Sequence, residues 1–393
     1  MIKELSKNWD LGAEIRTLLD RGLYRSMPEV SGLPGRIVYL EGKAVLNFSS
    51  NNYLGMAGHP KVMEAFSNGV LRYGVGSTAS RLIAGNCQSH RDLEEFIAVW
   101  KGTEAALVFG SGYQANIGII TSLASGGDLV ISDELNHASI IDGCRLSRAK
   151  ISVYPHLNLD AVEDALKDPA PRRKIVVTES VFSMDGDHAP LTGLFDLCQH
   201  HGAAMVVDEA HATGVYGLGG EGLCANLGIA PDVQMGTLGK AVGVSGAYVA
   251  GSRSLIEVIV NRARSFIFTT APPPAISVAT LKALEILTSE EGQQRRTRLQ
   301  RNVESMGKLM NEIFPQSNFA SHINPIPIGP SDLTMIASKA CFDEGLFVQG
   351  IRFPSVKEEE GRLRLTIMCD HTVDDLINAS HVIKSVIARC DIK

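Results

Sequence analysis

The 393-residue chain is 45% hydrophobic and 20% charged, with a net charge of −6. That length and balance allow a large core without disulfide or metal staples, and the negative charge offers no broad basic field to nucleic acid or an anionic membrane. No run reaches the roughly 18–20 apolar residues of a membrane span, so an anionic small molecule would have to be held by a local cluster of Arg and Lys.

In chain order, the opening MIKELSKNWDLGAEIRTLLD alternates charged with apolar residues and lacks the apolar centre of a signal peptide. Residues 1–45 are expected to form an arm with one helix, packing on something else such as a second subunit. A helix with Leu93, Phe96, Ile97 and Trp100 on one face is expected to end before Gly102. Strands are expected at Ala105–Phe109, 128–132, 151–154, Lys174–178, 203–207 and 246–250, with a helix at 160–167 capped by Asp160 and stopped by Pro169. Alternation of this kind implies an α/β fold, a mainly parallel sheet covered on both faces. A long charged helical region, 281–313, then leads to a smaller α+β unit. This unit reads strand (323–328), helix (332–343), strand (346–349), strand (362–367) and helix (373–388), with Gly345 ending the first helix and Thr372 capping the last. The expected division is an arm (1–45), a large domain (46–285) and a small C-terminal domain (286–393). Seven scattered cysteines, without a C-x-x-C pair, indicate neither a disulfide framework nor a metal site and suit reduced thiols in the cytosol.

Five segments carry chemistry. In VQMGTLGKAVGV, Lys240 lies among Gly236, Thr237, Gly239 and Gly243, where a planar group can approach the backbone and an amine can form an imine with an aldehyde cofactor. AAMVVDEAHATG ends an apolar strand in Asp208, a carboxylate at the sheet edge where open α/β folds bind ligands, with His211 three residues on. FGSGYQAN runs a strand into Ser111, Gly112 and Tyr113 at a helix start, a geometry that aims free N–H groups at an anion such as a phosphate. SDELNHASI places His137 just past a strand, where an imidazole can stack on a ring, and TESVFSMDGD brings Glu179, Ser183 and Asp185 to another strand end.

LNFSSNNYLG, SDELNHASI, VVTESVFSMDGD, VVDEAHATGV, GTLGKAVGVSGAYVAG and RARSFIFTTAPPP, in this order over about 46–372, resemble the signature blocks of the α-oxoamine synthases. The resemblance implies a pyridoxal 5′-phosphate (PLP) enzyme of fold type I: a large domain with a mainly parallel seven-stranded sheet and a smaller C-terminal α+β domain. It implies a cytoplasmic homodimer with sites at the subunit interface, acting on an amino acid and an acyl thioester, with loss of carbon dioxide. It implies Lys240 as the Schiff-base lysine, Asp208 as partner of the pyridine nitrogen, His137 stacked on the ring, and His211 and Ser183 near the phenolic oxygen. It assigns Ser111, Gly112, Tyr113 and Thr237 to the phosphate, with Thr269 or Thr270 completing that cup from the neighbouring subunit.

For the substrate, the resemblance gives Arg364 the amino-acid carboxylate through a bidentate fork, aided by Asn51, with Ser80 in the substrate loop and Arg25 offered to a distal carboxylate. Alternation in RLRLTI puts Arg362, Arg364 and Thr366 on one face, and Arg362 is expected to be a solvated edge charge. GVSGAYVAG, RARSFIF and IRFPSV most resemble members that join L-alanine to a pimeloyl thioester. NNYLG, NHASIIDGCRL and TLGKA also occur in members that use glycine and acetyl-CoA, but those usually carry cysteine where Ala210 stands. Thr78 and Ala79 replace a Gly-Gly of the pattern, and Phe353, Ser355 and Lys357 depart from its following loop. A transaminase and a non-catalytic regulatory subunit are the rival classes; the presence of Lys240, Asp208 and His137 together argues against the second.

Overall fold

The computed structural model describes residues 9–314, 319 and 321–390. Near the N-terminus lie β1 (Val30–Ser31), β2 (Ile37–Leu40) and β3 (Lys43–Asn47). The centre of the chain supplies β4 (Ala105–Phe109), β5 (Leu129–Asp133), β6 (Lys150–Tyr154), β7 (Lys174–Glu179), β8 (Ala204–Asp208), β9 (Val233–Thr237) and β10 (Ala247–Gly251). The C-terminal part adds β11 (Ile323–Gly329), β12 (Leu346–Phe347), β13 (Gln349–Ile351) and β14 (Gly361–Thr366).

The seven central strands form one sheet in the order β4-β10-β9-β8-β7-β5-β6, and only β10 runs against its neighbours. The pleat sends successive side chains to opposite faces, and both faces are apolar, as a helix-covered sheet requires. Leu107, Phe109, Val130, Val177, Val206 and Val249 pack with helix residues Ile119, Ile140 and Ile259 on one side. Their alternates Ala106, Val108, Ile131, Val176, Val207 and Tyr248 face helices on the other. The expected strands are present to within a residue or two, and the helix expected at 160–167 is Leu159–Leu166, capped by Asn158 and not Asp160.

The sequence reading departs from the fold in several places. The helical region 281–313 is two helices, Pro274–Leu287 and Glu290–Asn311, because Ser289 is extended and turns the chain. The turn is tight: a Cβ on Gly292 would stand 2.1 Å from the Leu287 carbonyl oxygen. The stretch 346–349 divides at Val348, with β12 joining β3 in a four-stranded sheet (β1-β2-β3-β12) and β13 joining β14 in a three-stranded one (β11-β14-β13). The N-terminal segment therefore holds three strands besides its helix, Leu11–Asp20. The expected boundaries at 45/46 and 285/286 fall inside β3 and inside the helix Pro274–Leu287.

Directly beneath the sheet edge, the Lys101 ammonium meets the Glu209 carboxylate at 2.6 Å with both side chains fully buried, and Glu209 also accepts from the Cys224 N–H at 2.8 Å. Removing one member of a buried pair strands the other charge. Glu209→Ala is therefore expected to lower unfolding free energy by about 3–5 kcal/mol, read from the urea midpoint. An unchanged midpoint would mean Lys101 finds water or another carboxylate.

Candidate active site

The carboxyl ends of the parallel strands gather the chemistry at one edge. Glu179, Asp208 and Met235 are level across β7, β8 and β9, while Phe109, Ala247 and Thr237 are level across β4, β10 and β9. After β9 the chain makes a tight loop, with Leu238 N–H donating to the Gly246 carbonyl (2.9 Å) and Gly243 N–H to the Lys240 carbonyl (2.9 Å), which projects Lys240 over the edge. Gly243 has φ +75, and a Cβ there would stand 2.4 Å from the Ala57 nitrogen, so this close approach needs glycine.

Lys240 Nζ lies 2.7 Å from His211 Nε2. Burial lowers the amine from its ordinary 10.5 to about 8, against the opposing pull of Asp208 and then Glu179. Burial also holds His211 well below its ordinary range, with Lys240 the next cause. Asp208 accepts from Asn116 Nδ2 and from the Ala210 N–H, each at 2.8 Å, so its carboxylate is fixed in orientation. Glu179 is buried with Oε1 unpartnered, and burial, reinforced by Asp208, raises it to about 8. His137 caps the helix Ala138–Ser147, with Nδ1 2.7 Å from Ser139 Oγ, and burial lowers its pKa.

Beside this group, Ser111 caps the helix Gly112–Leu123, its Oγ accepting from Gln114 N–H at 3.3 Å. The first-turn N–H groups of a helix have no intrahelical partners. Gly110, Ser111, Ser245, Gly246, Thr269 and Thr270 of the same chain line a cavity of about 370 Å³. Thr237 Oγ1 donates to the Gly246 carbonyl (3.1 Å) and accepts from Gly239 N–H (3.3 Å). The Tyr113 side chain is partly exposed, its hydroxyl bonded to Asp142.

Across the cleft, Arg364 on β14 is buried. Its Nε donates to the Ser183 carbonyl (2.6 Å), and Nη1 donates to Asn51 Oδ1 (3.2 Å) and Thr366 Oγ1 (3.0 Å). Three of the five guanidinium hydrogens are thus used to hold the group. Arg362 is not the solvated edge charge expected from the sequence: it pairs with Asp185 and its side chain is only 13% exposed. Two residues that the sequence reading left without a role, Tyr53 and Asn116, also belong here: Tyr53 Oη stands 2.6 Å from His211 Nδ1. Tyr53 lies within the NNYLG block, but its contact with His211 spans 158 residues and has no local signal.

Arg25 lies apart, in a cavity of about 350 Å³ with Tyr24, Gln349, Arg352 and Ser355. Ser80 sits in a turn, its carbonyl accepting from Ile83 N–H (3.1 Å) and Gly85 N–H (2.9 Å). Neither shares a hydrogen bond with Lys240, Asp208, His211 or Arg364.

The loop carrying Ser183 is tied to the loop leading to His137 by His156, which lies 2.9 Å from Asp133 Oδ1 and 2.7 Å from Asp187 Oδ2. Burial opposes its charge, but the hydrogen bonds to Asp133 and then Asp187 override this and raise it from 6.5 to about 10. A raised histidine stabilises fully below its unfolded pKa of 6.5 and loses that contribution as pH climbs through about 10. Unfolding free energy in the wild type is expected to fall across that window more steeply than in His156→Asn. Equal slopes would show that His156 is not the group responsible.

The donor set fits PLP: an amine kept partly neutral near physiological pH, a fixed carboxylate at the end of the strand beside the one that leads to it, an imidazole, and a capped helix start beside a cavity. Residues 43–383 match the family described as aminotransferase class I and II. The chain belongs to that family. Within it the chain is an α-oxoamine synthase, a PLP-dependent enzyme, as its sequence blocks implied. It is 48% identical over 377 residues to an 8-amino-7-oxononanoate synthase of Citrifermentans bemidjiense, covering 95% of this chain and 97% of that protein. It is 46% identical to one of Geobacter sulfurreducens, covering 94% and 95%. A serine palmitoyltransferase from S. paucimobilis, solved with a PLP–myriocin aldimine, superposes with TM-score 0.92 over all of both chains at 29% identity. An 8-amino-7-oxononanoate synthase from Francisella tularensis superposes with TM-score 0.76, covering 88% of this chain and 98% of that one, at 28% identity.

Proposed function

We propose that this α-oxoamine synthase joins L-alanine to a pimeloyl thioester, giving 8-amino-7-oxononanoate, carbon dioxide and the free thiol carrier, in biotin biosynthesis. The relatives of that name, at 44–48% identity over nearly the whole chain, support the choice of substrates. The observation that carries the chemistry is the amine of Lys240, lowered to about 8 and set against His211 at the strand edge that also bears Asp208. PLP, when bound, supplies an electron sink for the charge left on the α-carbon after its proton is removed.

The chain's own residues do the rest. Lys240 would hold the cofactor and, as a neutral amine, would accept the α-proton of the amino acid. Asp208, fixed by Asn116 and Ala210, keeps a proton on the ring nitrogen. His137 would pack on the ring face, and His211 and Ser183 would bond near the phenolic oxygen. Ser111, Gly112, Tyr113 and Thr237 would hold the phosphate, with Thr269 or Thr270 of the partner subunit completing the cup. Arg364 would take the amino-acid carboxylate, positioned by Asn51, while Arg25 would meet a distal carboxylate and Ser80 would belong to the substrate loop. Leu11, Ile15, Leu18 and Leu19 of the N-terminal helix are exposed, and a homodimer in the cytoplasm would cover them. The arm, the large domain and the small domain would act as functional units, with the cleft between the last two.

The test is turnover by the holoenzyme with defined substrate pairs. L-Alanine with pimeloyl-CoA, or with pimeloyl-acyl carrier protein, is expected to release thiol and carbon dioxide in equal amounts. Turnover confined to glycine and acetyl-CoA would replace this reading, and amino exchange between alanine and a keto acid would replace the reaction class.

A further inference from the structure

Among the hydrogen bonds of the cleft, one series runs without a break from Arg364 to Lys240. Arg364 Nη1 donates to Asn51 Oδ1 at 3.2 Å, Tyr53 Oη lies 2.9 Å from the same oxygen, His211 Nδ1 lies 2.6 Å from Tyr53 Oη, and Lys240 Nζ lies 2.7 Å from His211 Nε2. Its direction follows from donor counting. A guanidinium can only donate, so the Asn51 amide must present its oxygen. Tyr53 has one hydroxyl hydrogen, and an amide oxygen can only accept it. The phenol oxygen is then left to accept from His211, which places the imidazole hydrogen on Nδ1. A neutral imidazole carries one such hydrogen, so Nε2 presents a lone pair.

We infer that Tyr53 is a positioning residue that fixes His211 as its Nδ1–H tautomer, so that His211 accepts a hydrogen bond from Lys240. The lysine then spends an N–H on His211 and keeps its own lone pair free, which is what attack on an aldehyde carbon or acceptance of a proton requires. Tyr53 is fully buried, and the His322 ring packs edge-on against it at 4.3 Å, so the phenol cannot swing away. Burial keeps His211 uncharged, consistent with a single imidazole hydrogen. The consequence for catalysis rests on the roles proposed above for Lys240 and Arg364; the tautomer does not.

The test is nitrogen-15 NMR of the full-length, cofactor-free protein with labelled histidine, where two-bond couplings separate a protonated ring nitrogen from a bare one. The signal of His211 among the 11 histidines is assigned by its loss in His211→Gln. The expected result is a proton on Nδ1. In Tyr53→Phe, which keeps the ring and removes the hydroxyl, the proton is expected to redistribute toward Nε2. Capture of PLP by Lys240 should then slow about 10-fold, as loss of one buried hydrogen bond implies. A proton on Nε2 in the wild type would overturn the inference, as would a Tyr53→Phe variant with unchanged signature and capture rate. The wild-type spectrum decides the tautomer even if that variant does not fold, and a different substrate pair would leave it unmoved.

Discussion

Lys240→Ala is expected to lose turnover by at least roughly 10²–10⁴-fold, the range seen when a positioned acid–base group is removed, and to bind PLP without the visible absorbance of a lysine imine. The folded state should not suffer. Burial lowers the Lys240 pKa to about 8, so the charged amine is a cost to folding at neutral pH, and deleting it removes that cost. The variant should melt no lower than the wild type, which separates chemistry from unfolding. Asp208, Asn116 and the Ser111 cap remain in place, so PLP should still be retained by its ring nitrogen and phosphate. A small exogenous amine should restore part of the turnover, because it supplies the missing base to an otherwise complete site. Turnover within a few-fold of wild type would show that another group removes the α-proton.

Arg364→Ala is expected to raise KM for the amino acid roughly 10–100-fold, the loss of hydrogen bonds between a guanidinium and a carboxylate. It should also lower kcat, because Arg364 holds Asn51 Oδ1 and the Ser183 carbonyl as well as the substrate. Arg364→Lys should recover little, since an ammonium cannot span Ser183, Asn51 and Thr366 and still present a free edge. KM for the thioester should change far less. If KM for the amino acid were unmoved in both variants, the carboxylate would have to be held elsewhere.

How much of this was legible in the sequence depends on how local each cause is. β5, β7, β8 and β10 were readable because strands buried on both faces are continuous apolar runs, and the cap at Thr372 was readable because its partner Asp375 is three residues on. β9, VQMGT, has Gln234 and Gly236 at its centre and is held in the sheet by its neighbours, so its own residues do not announce it. The change of sheet at Val348 depends on β3, some three hundred residues earlier in the chain. In the site, Lys240, Asp208, His137 and Ser111 could be named because each sits at a strand end or helix start with recognisable punctuation. The ion pair of Arg362 with Asp185 spans 177 residues, which is why Arg362 read as a free edge charge. The Asn51–Tyr53–His211 series was hidden for the same reason.

The most direct test of the whole arrangement is to reduce the holoenzyme with borohydride, digest it and locate the phosphopyridoxyl group by mass spectrometry. The expected result is one modified site, at Lys240, abolished in Lys240→Ala. Modification spread over surface lysines, or centred on a lysine away from the β9–β10 loop, would contradict the assignment of this cleft as the PLP site.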